Sequence, residues 1–310
     1  MGNLMKFLST LMFLSLLMAG NIVAQDYVFK VLANKGTNTV STSGSDWKAV
    51  KTGSTLKVGD QVKVGDGSYL GLVHSSGRTY EIKTAGVHKV NDIASALSSN
   101  KSSVASKYAD FVMNKMNQSE EDINRNHRNY LSATGAVTRG ANSPIKLFLP
   151  SSVDVYSDQA SIKWTEVEDV TDASYKITIY NMFDEVVMEQ ETADLSTVID
   201  FSDEKLAGER MVIVKVSLSD DETVESSKYA IKRLDLTSNE AIVVELEELE
   251  EMTAEETAMN MLIMASFYEQ NNLLVDALTY YQKAMDLAPE VDIFRHAYEQ
   301  FVVSNSLGTK

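Results

Sequence analysis

Not one of the 310 residues is a cysteine. Such a chain has neither a disulfide framework nor a thiolate metal site available to it. Every folded unit must hold by core packing alone, and an apolar content of 44% is enough to build a core rather than a disordered chain. The length suits two or three domains. A formal net charge of −16 opposes a phosphate backbone, so no nucleic acid partner is expected.

Residues 1–24 set the compartment. Lys6 precedes the apolar run Phe7 to Met18, broken only by Ser9, Thr10 and Ser15, and small residues lead to a cut after Ala24. That order is the order of a secretory signal peptide. The run falls short of the about 20 residues of a membrane helix, and no cysteine follows it to carry a lipid. The expectation is an exported protein that is not a lipoprotein and has no transmembrane segment in its mature chain. Its expected place is the periplasm of a Gram-negative cell, with the extracellular side second.

Residues 26–92 alternate. Tyr27, Phe29 and Val31 sit two apart, and nine glycines from Gly36 to Gly86, Gly71 among them, punctuate short runs. Leu56, Val58, Val62 and Val64 form the next inward set, then Leu70, Leu72, Tyr80 and Ile82. Gly59-Asp60 and Asp66-Gly67 mark turns. The pattern predicts a small antiparallel β domain. Its "VGD", "GDGSY" and "SGR" steps resemble the FecR-type domain, which in its namesakes is periplasmic and relays a receptor signal. The transmembrane and cytoplasmic parts of those proteins have no counterpart in this sequence. Gly65-x-Gly67 lacks the further residues of a nucleotide loop, and His74 and His88 have no third ligand at metal spacing.

Residues 93–141 read as a helical connector. Val104, Tyr108, Phe111, Val112 and Met116 recur at helical spacing, a stripe expected to lie on the preceding β domain. A second, weaker helix is expected from Glu120 to Leu131. The stretch Asn126 to Asn129 lacks the aspartate of a kinase loop.

Residues 143–236 carry strand-like runs: Ile145–Leu149, Ala160–Trp164, Ser174–Tyr180, Glu185–Glu189, Ser196–Phe201, Met211–Leu218 and Glu222–Arg233. Regular short strands predict a β-sandwich of about 90 residues. Trp164 should plug its core, Tyr175, Ile177 and Ile179 share one face, and Val212, Val214, Val216 and Leu218 another. The early tryptophan and the "SYKITIYN" strand resemble a fibronectin type III or immunoglobulin-like domain.

Residues 238–310 are helical. Ser238 should cap a helix over Asn239 to Met252, acidic outside Ile242, Val243, Leu246 and Leu249, and Thr253 with Glu256 suggests a capping box for the next. Residues 258–291, AMNMLIMASFYEQNNLLVDALTYYQKAMDLAPEV, have the length and pattern of two short helices and a stop. This segment resembles one tetratricopeptide (TPR) repeat. Met261 and Met264 take its large apolar positions, Ala265 its first small one, Tyr268 its aromatic one. Ala277, Tyr281 and Ala284 take the small, aromatic and small positions of the second helix, and Pro289 ends the unit. Small residues let the helices approach closely and the aromatics fill the gaps beside them. The family geometry implies a concave, partner-binding side of Met259, Leu262, Ser266 and Glu269. About three repeats are needed for a self-standing array, so flanking helices are expected to cover this one.

The expected fold class is multidomain α and β: a small antiparallel β domain, a helical connector, a β-sandwich and a C-terminal TPR-like helical hairpin. No catalytic constellation, metal set or phosphate loop is recognisable. The expectation is a non-catalytic scaffold, without a cofactor, that binds another envelope protein through its TPR-like end. The alternatives are a glycan- or peptidoglycan-binding protein using Trp47, Tyr69 and Tyr80, and a FecR-type periplasmic sensor component.

Overall fold

The structure, a computed structural model, describes residues 27–97, 102–116 and 143–307. The leader, the helix expected over Glu120 to Leu131 and the stretch Asn126 to Asn129 lie outside the described residues. The fold is mixed α and β, with antiparallel sheets and a helical C-terminal region.

Eight strands come first: β1 Phe29–Lys35, β2 Asn38–Ser41, β3 Lys48–Ala49, β4 Thr55–Leu56, β5 Gln61–Val64, β6 Tyr69–His74, β7 Thr79–Ile82 and β8 Gly86–Lys89. A short helix, α1 Val90–Ala96, closes the unit. Two four-stranded antiparallel sheets result, ordered β4-β1-β6-β7 and β3-β2-β5-β8. The alternating residues fill one core: Phe29, Val31, Leu56, Val62, Val64, Leu70, Leu72 and Ile82. Val58, expected among them, is exposed.

β1 shifts register between Val31 and Ala33. This bulge turns Leu32 and Ala33 into a second, larger core, which Tyr69 and Val73 of β6 also enter. β6 is thus buried on both faces, the reason Tyr69 to Val73 reads as one apolar run. Gly71, read from the sequence as a turn residue, lies inside β6. A Cβ there would stand 2.7 Å from the Met259 sulfur and 3.0 Å from the Ala33 Cβ. Glycine serves here for close approach by a helix, not for a turn.

Seven strands follow the connector: β9 Ser152–Val155, β10 Gln159–Lys163, β11 Tyr175–Tyr180, β12 Val186–Thr192, β13 Ser196–Asp200, β14 Met211–Leu218 and β15 Tyr229–Arg233. Five form one sheet, β12-β11-β14-β15-β9, and β10 pairs with β13. Within the five-stranded sheet β15 and β9 pair in parallel and the other neighbouring strands pair antiparallel. The anticipated inward residues are buried: Trp164 meets Tyr175 edge-on at 5.6 Å, and Ile177, Ile179, Val212, Val214 and Val216 share its core.

Three strand expectations change. Ile145 to Leu149 forms only isolated bridges, Ile145 to Ser226 and Leu147 to Trp164, flanked by Pro144 and Pro150, which donate no ladder hydrogen bond. The run Glu222–Arg233 begins in a turn, with Val224 N donating to Asp221 O, so the strand starts at Tyr229. β9 carries only a faint sequence signal, the two alternating residues Val153 and Val155.

The helices are α2 Ser103–Met116, α3 Glu240–Met252, α4 Ala258–Gln270, α5 Leu274–Leu287 and α6 Asp292–Ser304. The caps differ from expectation. Asn239 starts α3, after a 3₁₀ turn containing Ser238. Thr253 ends α3, its hydroxyl donating back to Leu249 O, while Thr257 caps α4 by accepting from Asn260 N. Thr253 is claimed by the end of α3, so the helix start falls four residues later, at Thr257.

α4 is buried on every side from Ala258 to Tyr268. An all-apolar helix belongs at the centre of its surroundings. α5 packs along it as the second arm of a hairpin, and also on β9 and β10. α2 does more than lie on the first β unit: its main contact is α4, with α3 and α6 beside it. One apolar core consequently runs through residues of β6, α2, the second sheets and all four C-terminal helices.

Candidate functional site

The four residues assigned to a concave binding side, Met259, Leu262, Ser266 and Glu269, do share one side of α4. The structure withholds all of them from solvent. Met259, Leu262 and Ser266 are fully buried. Glu81 accepts a hydrogen bond from Met259 N at 2.8 Å, and the Ser266 hydroxyl turns back to Leu262 O at 2.9 Å. The groove is not free, because the chain fills it with its own β6, β7 and α2.

The residues that the resemblance places at the repeat positions are buried on the hairpin: Met261, Met264, Ala265 and Tyr268 on α4, Ala277, Tyr281 and Ala284 on α5. Pro289 stands in the exposed turn after α5.

α2 is a one-sided helix. Ser103, Lys107, Asp110 and Asn114 face outward, while Ala105, Tyr108, Ala109, Val112, Met113 and Lys115 are buried. The buried Ser102 side chain accepts from Ala105 N at 2.9 Å and caps the helix. Ser102 N in turn donates to Ser76 O at 2.9 Å.

Two anchors two turns apart fix α2 on the C-terminal helices. At the first, Tyr108 packs edge-on to Phe267 at 5.3 Å, and its hydroxyl donates to Glu245 at 2.6 Å. Lys107 reaches the same carboxylate at 3.0 Å. The tyrosine's hydrogen bond, with help from Lys107, holds the Glu245 carboxyl below its usual range.

At the second anchor, the Lys115 ammonium lies 2.5 and 2.7 Å from the two carboxylate oxygens of Glu269. The side chains are only 10% and 9% exposed. Tyr281 donates to Glu269 at 2.6 Å, and Asn305 donates at 3.3 Å. Three rings surround the ammonium, Phe111 at 5.6 Å, Tyr281 at 5.7 Å and Phe301 at 5.9 Å. This is an aromatic box with a carboxylate floor, suited to a cation. Burial lowers the Lys115 pKa, with Glu269 opposing. Burial, then Glu269, pushes the Tyr281 phenol well up.

A further junction joins α5 to the strands. The buried Asp276 carboxylate accepts from Tyr156 N at 2.8 Å and Ser157 N at 2.9 Å. Burial raises its pKa against those hydrogen bonds.

Of the candidate glycan aromatics, Tyr69 is buried under α6, edge-on to Phe294 at 6.0 Å, and presents no surface face. Trp47 and Tyr80 are half-buried. His74 Nδ1 lies 2.8 Å from the Ser76 hydroxyl, and His88 Nε2 lies 3.0 Å from Thr84 O. Among the described residues no group of three or more histidine, aspartate or glutamate side chains is placed to hold a metal ion. No helix among them is long and apolar enough to cross a membrane.

The sequence reading named Tyr108 but missed Lys115. The available signal was a lysine seven positions after Tyr108, hence on the same side of the helix. Glu269 was named for an external partner and serves an internal one. No model of a known protein family matches the chain, and no curated protein matches it.

Proposed function

We propose that the chain is a non-catalytic exported envelope protein that scaffolds a protein assembly. Its C-terminal end, resembling a single TPR unit, is the polypeptide-binding module. The FecR-like β unit and the fibronectin type III or immunoglobulin-like sandwich serve as its mount. One observation carries this reading: the α4–α5 hairpin with α6 already holds a helix from elsewhere in the chain, α2, by the means protein interfaces use. Those are an aromatic anchor at Tyr108, a charge-paired lysine at Lys115 and an apolar stripe between them.

Because the core is shared, removing the helical end would expose apolar surface throughout. The test therefore uses the full chain with a photocrosslinking residue at one exposed site at a time: Val244 on α3, Leu287 at the end of α5, Val87 on β8 and Phe183 at the β11–β12 turn. The expected result in intact envelopes is a discrete adduct from Val244 or Leu287. Adducts from Val87 or Phe183 alone would move the interface to the β units. No protein adduct, with retention on purified cell wall that is lost on Trp47→Ala, would replace the scaffold with the glycan reading.

A further inference from the structure

The smaller sheet of the second β unit has only two strands, β10 and β13. Two strands make a marginal sheet, and three or more are the rule. α5 packs on β10, and Lys163 of that strand reaches Gln282 of the helix. Among the described residues β13 has no strand neighbour other than β10.

The ladder shows which way the backbone of β13 points. Phe201 N donates to Asp158 O at 2.7 Å, and Leu195 O accepts from Trp164 N at 3.1 Å. In an antiparallel pair, residues two apart turn their N–H and C=O groups to the same side. Thr197 and Ile199, in step with Leu195 and Phe201, therefore bond to β10. Ser196, Val198 and Asp200 turn theirs away from it. The side chains alternate likewise. Ile199 is fully buried and the Thr197 hydroxyl donates to Gln190 of the opposite sheet at 2.9 Å, whereas Val198 is 49% exposed. One open edge thus presents a row of backbone groups beside an apolar side chain.

Other edges are guarded. β12 carries the exposed Glu189 and Glu191, and its ladder with β11 slips between Ile179 and Tyr180. β9 follows Pro150 and lies against α5. In the first β unit β3 and β4 are two residues long, β8 bears Lys89, and β7 packs on α4. Charge, proline, bulges, shortness and a covering helix are the devices that stop a strand from adding to an edge. The stretch Ser196 to Ile199 carries no charge and no proline, and its pairing with β10 runs without a bulge.

We propose that β13 pairs antiparallel with β13 of a second copy of this chain, about a two-fold axis through Val198. The register favours a second copy. With Val198 opposite Val198, Ser196 falls opposite Asp200, Thr197 opposite Ile199, and Asp194 opposite Ser202. Each of these aspartates faces a serine, and no carboxylate faces another. Ser196, Val198 and Asp200 each exchange hydrogen bonds with the residue opposite. The two short sheets become one of four strands, and an isologous contact of this kind closes at two copies. The same operation on β12 about its central Glu189 would set two carboxylates face to face. The pairing is independent of the scaffold reading, which the adducts at Val244 and Leu287 test.

The test is sedimentation equilibrium of the full exported chain, up to about 1 mM so that a weak contact still shows. The net charge of −16 on each copy opposes approach, so about 0.15 M salt is present to screen it. The expected result is a concentration-dependent dimer. Val198→Lys sets two ammonium groups opposite each other and should weaken it at least about tenfold, with an unchanged thermal melt. Val198→Thr keeps a β-branched side chain and should retain it. The chain has no cysteine, so a single one reports its own neighbour. Val198→Cys treated with a short bis-maleimide should give a covalent dimer, and Val244→Cys on α3 should not. Should Val198→Lys fail to melt cooperatively, this crosslink decides alone. A chain that stays monomeric throughout overturns the proposal, as does a dimer that a folded Val198→Lys leaves intact. Crosslinking of Val198→Cys in envelopes to a different protein, with no covalent dimer, would overturn it in favour of a partner's strand.

Discussion

Lys115 and Glu269 stand 154 residues apart in sequence, yet both oxygens of the one carboxylate lie within 2.7 Å of the other's ammonium. Each side chain is about nine-tenths buried. Removing one partner leaves the other charged and unpaired. Glu269→Leu is expected to cost about 3–5 kcal/mol of stability. Lys115→Met combined with Glu269→Leu should regain most of that loss, because a buried pair replaced by apolar groups is close to neutral. Urea midpoints of the three chains decide it, and a double variant no better than the single one refutes the account.

Gly71 lets α4 sit on the outer side of β6. In Gly71→Ala the new Cβ meets the Met259 sulfur at 2.7 Å and the Ala33 Cβ at 3.0 Å. The methionine end can shift, but Ala33 cannot. Overpacking of this kind costs about 1–3 kcal/mol. Adding Met259→Ala should offset part of the loss if the helix contact is its source. Thermal melts of both variants would show strictly additive losses if it is not.

Asp276 gives a pH dependence with a definite sign. Burial raises its pKa above the ordinary 3.8, the hydrogen bonds from Ser157 and Tyr156 opposing. A carboxyl with a folded pKa above its unfolded value binds more protons in the folded state. Its contribution is fully present below about pH 3.8 and is lost as pH rises through the folded value. Asp276→Asn stays neutral throughout and lacks this slope. The stability of the wild type relative to Asp276→Asn should therefore fall as pH rises above 3.8, read from urea midpoints in a pH series. A difference that grows with pH would reverse the assignment.

Trp164 is buried and Phe183 exposed in the second β unit. Phe183 is 75% exposed at the β11–β12 turn, where Asn181 Oδ1 accepts from Phe183 N at 2.9 Å and Glu185 N at 3.0 Å. Phe183→Ala should change stability by no more than about 0.5 kcal/mol. Trp164→Ala, at the buried centre, should cost about 3–5 kcal/mol. Circular dichroism melts separate the two, and a large loss at Phe183 would mean that the turn is covered in solution.

Periodicity made most individual elements legible. The alternation Phe29, Val31 and Leu56, Val62, Val64 gave the first β unit, and the spacing of Ala265, Tyr268, Ala277 and Tyr281 gave the hairpin. The failures fall where a tertiary neighbour competes with a local signal. Gly71 looked like a turn because sequence shows only the missing Cβ, not the helix that needs its absence. Thr253 looked like an N-cap because the end of α3 claims it only in three dimensions. Tyr69 looked like a surface aromatic because the alternation of β6 hides that its second side meets α6.

What the sequence determined by itself was local: the apolar periods, the turns, the small and aromatic positions of the hairpin, and stability without disulfides. These follow from side-chain volume and hydrogen-bonding over a few neighbouring residues. Only the tertiary structure decided the fate of the side of α4 that carries Met259, Leu262, Ser266 and Glu269. Whether Met259, Leu262, Ser266 and Glu269 meet solvent or another helix depends on which distant segment buries enough apolar surface there. Tyr108, Val112 and Lys115 do so from beyond the second β unit, a pairing no local period encodes.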